Sequence, residues 1–147
     1  MKMSYGRFGL VLMVSLALMF VLSMSMVRTV DHFYLNPSNF YMALVMVAAM
    51  GLVMLGAMWK MFPSPRANVA LAVGFVVVFA GALALGRTEA LVGDEGFLTS
   101  MIPHHSRAIL TCQESAISDP EIVELCRKIV DAQQQEITQM KSILERY

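Results

Sequence analysis

Three long stretches without a charged side chain decide what this chain can fold into. Phe8 to Val27, Phe40 to Trp59 and Val69 to Leu85 contain no Asp, Glu, Lys or Arg. Each is close to the roughly 20 apolar residues that an α-helix needs to cross hydrocarbon. Inside lipid every backbone N–H and C=O must be bonded within its own segment, so such runs become helices. The remaining sequence also carries helical periodicity, so the expected fold is all-α. It comprises three transmembrane helices (about 8–27, 40–59 and 69–85) followed by an extracytoplasmic helical hairpin. Residues 1–87 form the anchor and residues 88–147 the hairpin. Composition agrees: 57% of the residues are hydrophobic and only 15% charged.

Lys2 and Arg7 precede the first run, a pattern shared with signal peptides. The run exceeds the usual apolar region of about 7–15 residues, so it reads as a retained span. Ser23-Met24-Ser25 offers a small-x-small cleavage pattern as the alternative. Between the first two runs, Arg28 to Ser38 is a short polar loop with Asp31, His32, Asn36 and Pro37 as breakers. Lys2, Arg7, Lys60 and Arg66 fall on one side of the membrane, with Arg28 and Arg87 on the other. This bias puts the N-terminus in the cytoplasm and everything after Leu85 outside, in the periplasm or extracellular space of a cell (inner) membrane protein.

No span holds an ionisable residue at its middle, which argues against a self-sufficient transporter. Small residues four apart in the third span (Ala70 and Gly74, Ala80 and Ala84, Ala82 and Gly86) allow close helix approach. Met42, Met46, Met50, Met54 and Met58 recur every four residues in the second span. A thioether ladder for Cu(I) is one reading. Pliable packing is the better one, since thioethers without an anionic or imidazole partner bind weakly.

From Thr88 onward ten acidic side chains oppose five basic ones, a net charge of −5. Nucleic acid is excluded as a partner, because phosphate binding needs a basic surface. In this part a helix opens at Gly93-Asp94, with Asp94 as N-cap, and runs to about Ile117. Ser118 and Glu121 make a capping box for the second helix, with Pro120 in its first turn.

The second helix has a heptad-spaced seam of Ile122, Cys126, Ile129, Gln133, Glu136, Met140, Ile143 and Tyr147. The first has Leu98, Met101, His105, Ala108 and Cys112, with His104 beside it. Polar residues interrupt both seams, and burying them unpartnered would cost several kcal/mol. An antiparallel hairpin about Asp119 sets His105 level with Gln133, Ile102 with Glu136, Leu98 with Met140 and Cys112 with Cys126.

Two imidazoles, a carboxylate, an amide and two thioethers thus converge. The residues are His104, His105, Glu136, Gln133, Met101 and Met140. Soft sulfur beside imidazole points to a copper ion, with zinc second. Adjacent histidines diverge by about 100°, so both ligate one ion only with the help of a kink at Pro103 or a second subunit. His105, Met101, Glu136 and Met140 are the principal ligands, with Gln133 and His104 secondary and His104 available to a neighbouring chain. A buried His–Glu hydrogen bond that merely specifies the hairpin is the competing reading. Cys112 and Cys126 are either a disulfide or two small apolar core residues, the bridge requiring Cα atoms within about 7 Å.

The run Met101 to His105, with Phe97-Leu98 before it and Ala108-Ile109 after it, resembles the signature of the domain of unknown function 305 family. Asp119-Pro120, Leu125, Ile129, Gln133, Glu136-Ile137 and Met140 resemble its second helix. The resemblance spans about residues 94–147. It implies a ferritin-like helical bundle, an extracytoplasmic location and, in some members, copper binding, with no established enzymatic activity. Leu110 and Thr111 depart from an acidic residue and a methionine common at those positions, and Cys112 and Cys126 stand where alanine is usual. Many members repeat the motif to make four helices.

One hairpin is too small to bury its own core. The expectation is a homodimer completing a four-helix bundle. In function the chain reads as a membrane-anchored copper-binding protein. The alternative is a non-catalytic accessory subunit of a larger membrane complex. No nucleophile–base pair or cofactor motif suggests an enzyme.

Overall fold

The computed structural model describes residues 3–147; Lys2, used above in the charge bias, lies outside the described residues. The described residues form five α-helices: α1 (Tyr5–Ser23), α2 (Pro37–Ala57), α3 (Pro65–Arg87), α4 (Asp94–Glu114) and α5 (Pro120–Leu144). The described residues contain no strand. The helices fall into two compact units, residues 3–23 with 38–90 and residues 24–37 with 91–147.

In the first unit α1, α2 and α3 are each long and apolar enough to cross a membrane. Pro37 and Pro65 occupy the first turn of their helices, where a missing N–H costs nothing. Ser64 caps α3 by accepting from the Ala67 amide at 3.3 Å. The core is aromatic and aliphatic: Phe8, Leu12, Val47, Leu55 and Phe62, with Phe75 packed against them. Met50, Met54 and Met58 also pack on this cluster, whereas Met42 is 56% exposed. The methionine stripe therefore turns out of the core, as its angular drift requires.

Of the small residues in α3, Ala82 is buried and Gly86 meets Tyr41, while Gly74 has nothing near it. The tightest glycine is Gly51 of α2, unremarked in the sequence. A Cβ there would stand 2.9 Å from the Phe75 ring.

α1 ends at Ser23, four residues earlier than the apolar run suggested. Met24 leaves the helix to be buried in the second unit, where its sulfur accepts from Asn36 Nδ2 at 3.6 Å. Segment 24–37, with a short 3₁₀ turn at Val30–His32, is therefore built onto α4 and α5. It is structure, not merely a connector.

α4 and α5 are joined by residues 115–119 and share a core of Leu98, Ile102, Ile109, Ile137 and Met140. Ile102 and Ile109 are fully buried and Ile137 nearly so. The buried stripe on α4 is thus Leu98, Ile102, Ser106 and Ile109, one residue round from the predicted seam. Tyr34 of segment 24–37 packs against this core, and the added layer turns that face inward.

The helix ends also differ from expectation. Gly93, not Asp94, occupies the N-cap of α4, and α4 stops at Glu114. Asp119, not Ser118, caps α5: its carboxylate accepts from the Glu121 and Ile122 amides at 2.9 and 3.2 Å. The proline fixed at the first helical position leaves Asp119 as the last extended residue, so the capping side chain must be there. Asp119→Ala should lower the stability of this unit by about 1 kcal/mol, read from amide exchange in the first turn of α5. Ser118→Ala should leave it unchanged.

Candidate metal site

His105 and Glu136 come together. His105 Nε2 lies 2.7 Å from Glu136 Oε2. The ring is positioned from its other side, Nδ1 standing 2.9 Å from the Met101 carbonyl oxygen one turn back. A carbonyl only accepts, so Nδ1 carries a hydrogen. Nε2 is left to face the carboxylate.

Sequence level predicted Gln133, not Glu136, opposite His105. Both side chains lie on the same seam of α5, and the carboxylate's charge wins the imidazole. Gln133 is left with its Oε1 buried and without a hydrogen-bond partner. A buried carbonyl oxygen without a donor is costly. Its chemistry suits a water or a metal ion.

The other predicted residues are placed less closely. Met140 is buried in the α4–α5 core and Met101 is packed against it. His104 is exposed, its ring centre 5.9 Å from that of His105 in an edge arrangement. Among the described residues no three His, Cys, Asp or Glu side chains cluster as a ready-made metal site. The strong donors that meet are two, His105 and Glu136.

Cys112 and Cys126 form a disulfide, with Cα atoms 5.4 Å apart. Three pairings, Cys112 with Cys126, His105 with Glu136 and Leu98 with Met140 in one core, run in opposite order along α4 and α5. Leu110 is half-buried, and Thr111 spends its hydroxyl on its own helix, donating to the Arg107 carbonyl at 2.9 Å. Neither adds a ligand.

Sequence reasoning missed the groups behind the site. Ser106 is fully buried and accepts from the Arg28 amide at 2.8 Å. His32 is 5% exposed, and its Nδ1 is 2.9 Å from the same hydroxyl. Arg28 Nη1 donates to Gln134 Oε1 at 2.9 Å, and Lys141 pairs with Asp31. The hydrogen bond from Lys141, then one from Thr29, holds the Asp31 carboxyl far below the usual carboxylate range. The available signal was the Asp31-His32 pair in a loop otherwise rich in breakers.

The family model for a domain of unknown function (DUF305) matches residues 82–144, which include all of α4 and α5. A mimivirus protein from Acanthamoeba polyphaga mimivirus, described as uncharacterized protein L153, is 32% identical over 113 residues. That is 76% of this chain and 72% of the relative. The likeness is longer than the family-model segment, so it reaches beyond α4 and α5. No solved structure matches. With that identity over most of both chains, and the family model matching residues 82–144, the protein belongs to the DUF305 family.

Proposed function

We propose that this chain is a membrane-anchored metal-binding protein that captures copper at the outer face of the membrane. The observation that carries the reading is the His105–Glu136 pair at 2.7 Å, with the orphaned Gln133 oxygen on the same helix as Glu136. Imidazole, carboxylate and amide oxygen come from two helices, and a cation supplies the positive charge that all of them seek. Copper is the preferred ion because Met101 and Met140 bring soft sulfur to the same helices, with zinc second.

The N-terminus lies in the cytoplasm and the α4–α5 hairpin outside. Segment 24–37 belongs to the same compact unit as residues 91–147. Two spans, α2 and α3, separate the first loop from the C-terminal part and put both on one side, in keeping with that packing. Ile122, Val123 and Leu125 leave the first turns of α5 with exposed apolar side chains. A second copy covering them makes a homodimer with a ferritin-like four-helix bundle, and His104 then serves the neighbouring chain.

The second reading, a non-catalytic accessory subunit of a larger membrane complex, draws on the same pair: His105 and Glu136 satisfy each other without an ion. One measurement separates the two. Wild-type protein titrated with Cu(I) and weighed by native mass spectrometry should carry copper. His105→Ala and Glu136→Gln should each weaken binding by at least the ~10–100-fold that loss of a supporting partner costs. Equal and negligible copper in the wild type and in His104→Ala/His105→Ala would favour the accessory subunit.

A further inference from the structure

We propose that segment 24–37 is an acid-released strap on α4 and α5, with His32 as its trigger and the metal site as its target. Release of the strap stands on its own. Only its consequence for the ion rests on the metal-binding reading above.

The strap's polar tethers converge on residues that follow candidate ligands in sequence. Arg28 and His32 bond Ser106, the residue after His105. Arg28 bonds Gln134, the residue after Gln133. Asp31 pairs with Lys141, the residue after Met140. The strap therefore grips α4 and α5 at the levels where the proposed ligands emerge, and holds the two helices in register there.

His32 is the tether that acid can undo. Ser106 Oγ accepts the Arg28 amide hydrogen, so its own hydrogen is free to go to His32 Nδ1. Nε2 then carries the ring hydrogen, 3.6 Å from the Asp31 carboxylate. This is a neutral imidazole. A proton added at Nδ1 would point at the serine hydrogen and reverse the bond, inside a site where serine has no exposure.

The charged groups around the ring do not welcome a second charge. Arg28 lies beside it on the strap and Lys141 faces it from α5, while the Asp31 carboxylate is already engaged by Lys141. From α4 only the Ser106 hydroxyl bonds the ring, His105 being turned to Glu136. Burial first, and Lys141 next, push His32 below its ordinary value of 6.5, with Asp31 opposing and not prevailing.

The sign follows. A released His32 takes its proton near 6.5, and the docked one resists it. Docking is at full strength above 6.5, weakens as pH falls below it, and stops weakening below the depressed docked value. Asp31 stays an anion throughout that window and contributes nothing to the change.

The test uses the full chain in lipid nanodiscs and follows amide hydrogen exchange of residues 28–36 between about pH 8 and about pH 5. Protection, corrected for intrinsic exchange, should fall about tenfold, the factor of one buried hydrogen bond. His32→Gln should abolish the fall. A wild-type strap equally protected across the range, or the same fall in His32→Gln, overturns the proposal. If His32→Gln fails to hold the strap at neutral pH, Lys141→Gln takes its place. It removes the repelling cation and frees Asp31 for the ring, so the docked His32 rises back toward its ordinary value and the fall must shrink; an undiminished fall overturns the trigger.

Cu(I) titration at both ends of the range reads the target. Acid should weaken copper binding more in the wild type than in His32→Gln, whose ligand set is intact. Equal weakening overturns the coupling. Absence of copper at neutral pH overturns the metal reading and the coupling together, and leaves the exchange result to decide the strap.

Discussion

Ile102→Ala lowers the opening free energy of α4 and α5 by about 2–5 kcal/mol, the range for truncating a fully buried isoleucine. Ile102 is 0% exposed and shares its core with Ile109 and Ile137. The loss belongs in the upper part of that range. Tyr34 and the strap cover this face, so the surroundings have little freedom to collapse into the cavity. Hydrogen exchange of the most protected α4 and α5 amides, measured in the full chain, reads the change directly. The substitution also tests the site. Ile102 lies one turn before Ser106 and adjoins Met101, whose carbonyl orients His105. Copper affinity should therefore fall with stability, although no ligand has been touched. A loss under about 1 kcal/mol, which an ordinary surface change could produce, would mean that this core is not assembled around Ile102.

Removing the disulfide is the second large effect. Cys112 and Cys126 close a loop of sequence separation 14. Constraint of the unfolded chain by a loop of that size is worth about 3 kcal/mol in the chain-entropy treatment. Cys112→Ser/Cys126→Ser, or reduction of the wild type, should lower the stability of the α4–α5 unit by that amount and leave α1, α2 and α3 unaffected. The bridge is two turns from His105, roughly 10 Å along the helix. The variant should consequently bind the same number of copper ions per chain at saturation, with the loss appearing in thermal unfolding. Two thiols reactive toward a thiol reagent in protein purified without reductant would show the bridge to be absent.

The three long apolar helices were legible because their signal is long and redundant. Losing charge over about twenty residues leaves no alternative to a helix, and a residue or two of error changes nothing. Even there the end of α1 was misjudged, since Met24 is as apolar as its predecessors and only its burial beside Asn36 takes it out of the helix. The two cysteines were legible as level with each other, but a bridge depends on a Cα separation that spacing along one chain cannot supply.

The candidate site was half legible. His105 and Glu136 stood out as polar breaks in apolar seams, and they meet. His104 and Gln133 stood out by the same rule: one is exposed and the other is left without a bond on its oxygen. Hydrophobic spacing gives the face of a helix within about one residue, and the α4–α5 core chose the face of Ile102, Ser106 and Ile109 over that of Met101, His105 and Ala108. Nothing local distinguishes those two faces. What distinguishes them is Tyr34, nearly seventy residues earlier in the chain.

By itself the sequence determined the number of apolar helices, the acidic helical pair that follows them and the imidazole–carboxylate chemistry available there. These are properties of local composition and period, which each segment carries wherever it lies. Only the tertiary structure decided that Arg28, Asp31 and His32 stand behind that chemistry. Contacts across 74 to 110 positions depend on how separate helices pack, and no spacing rule reaches that far.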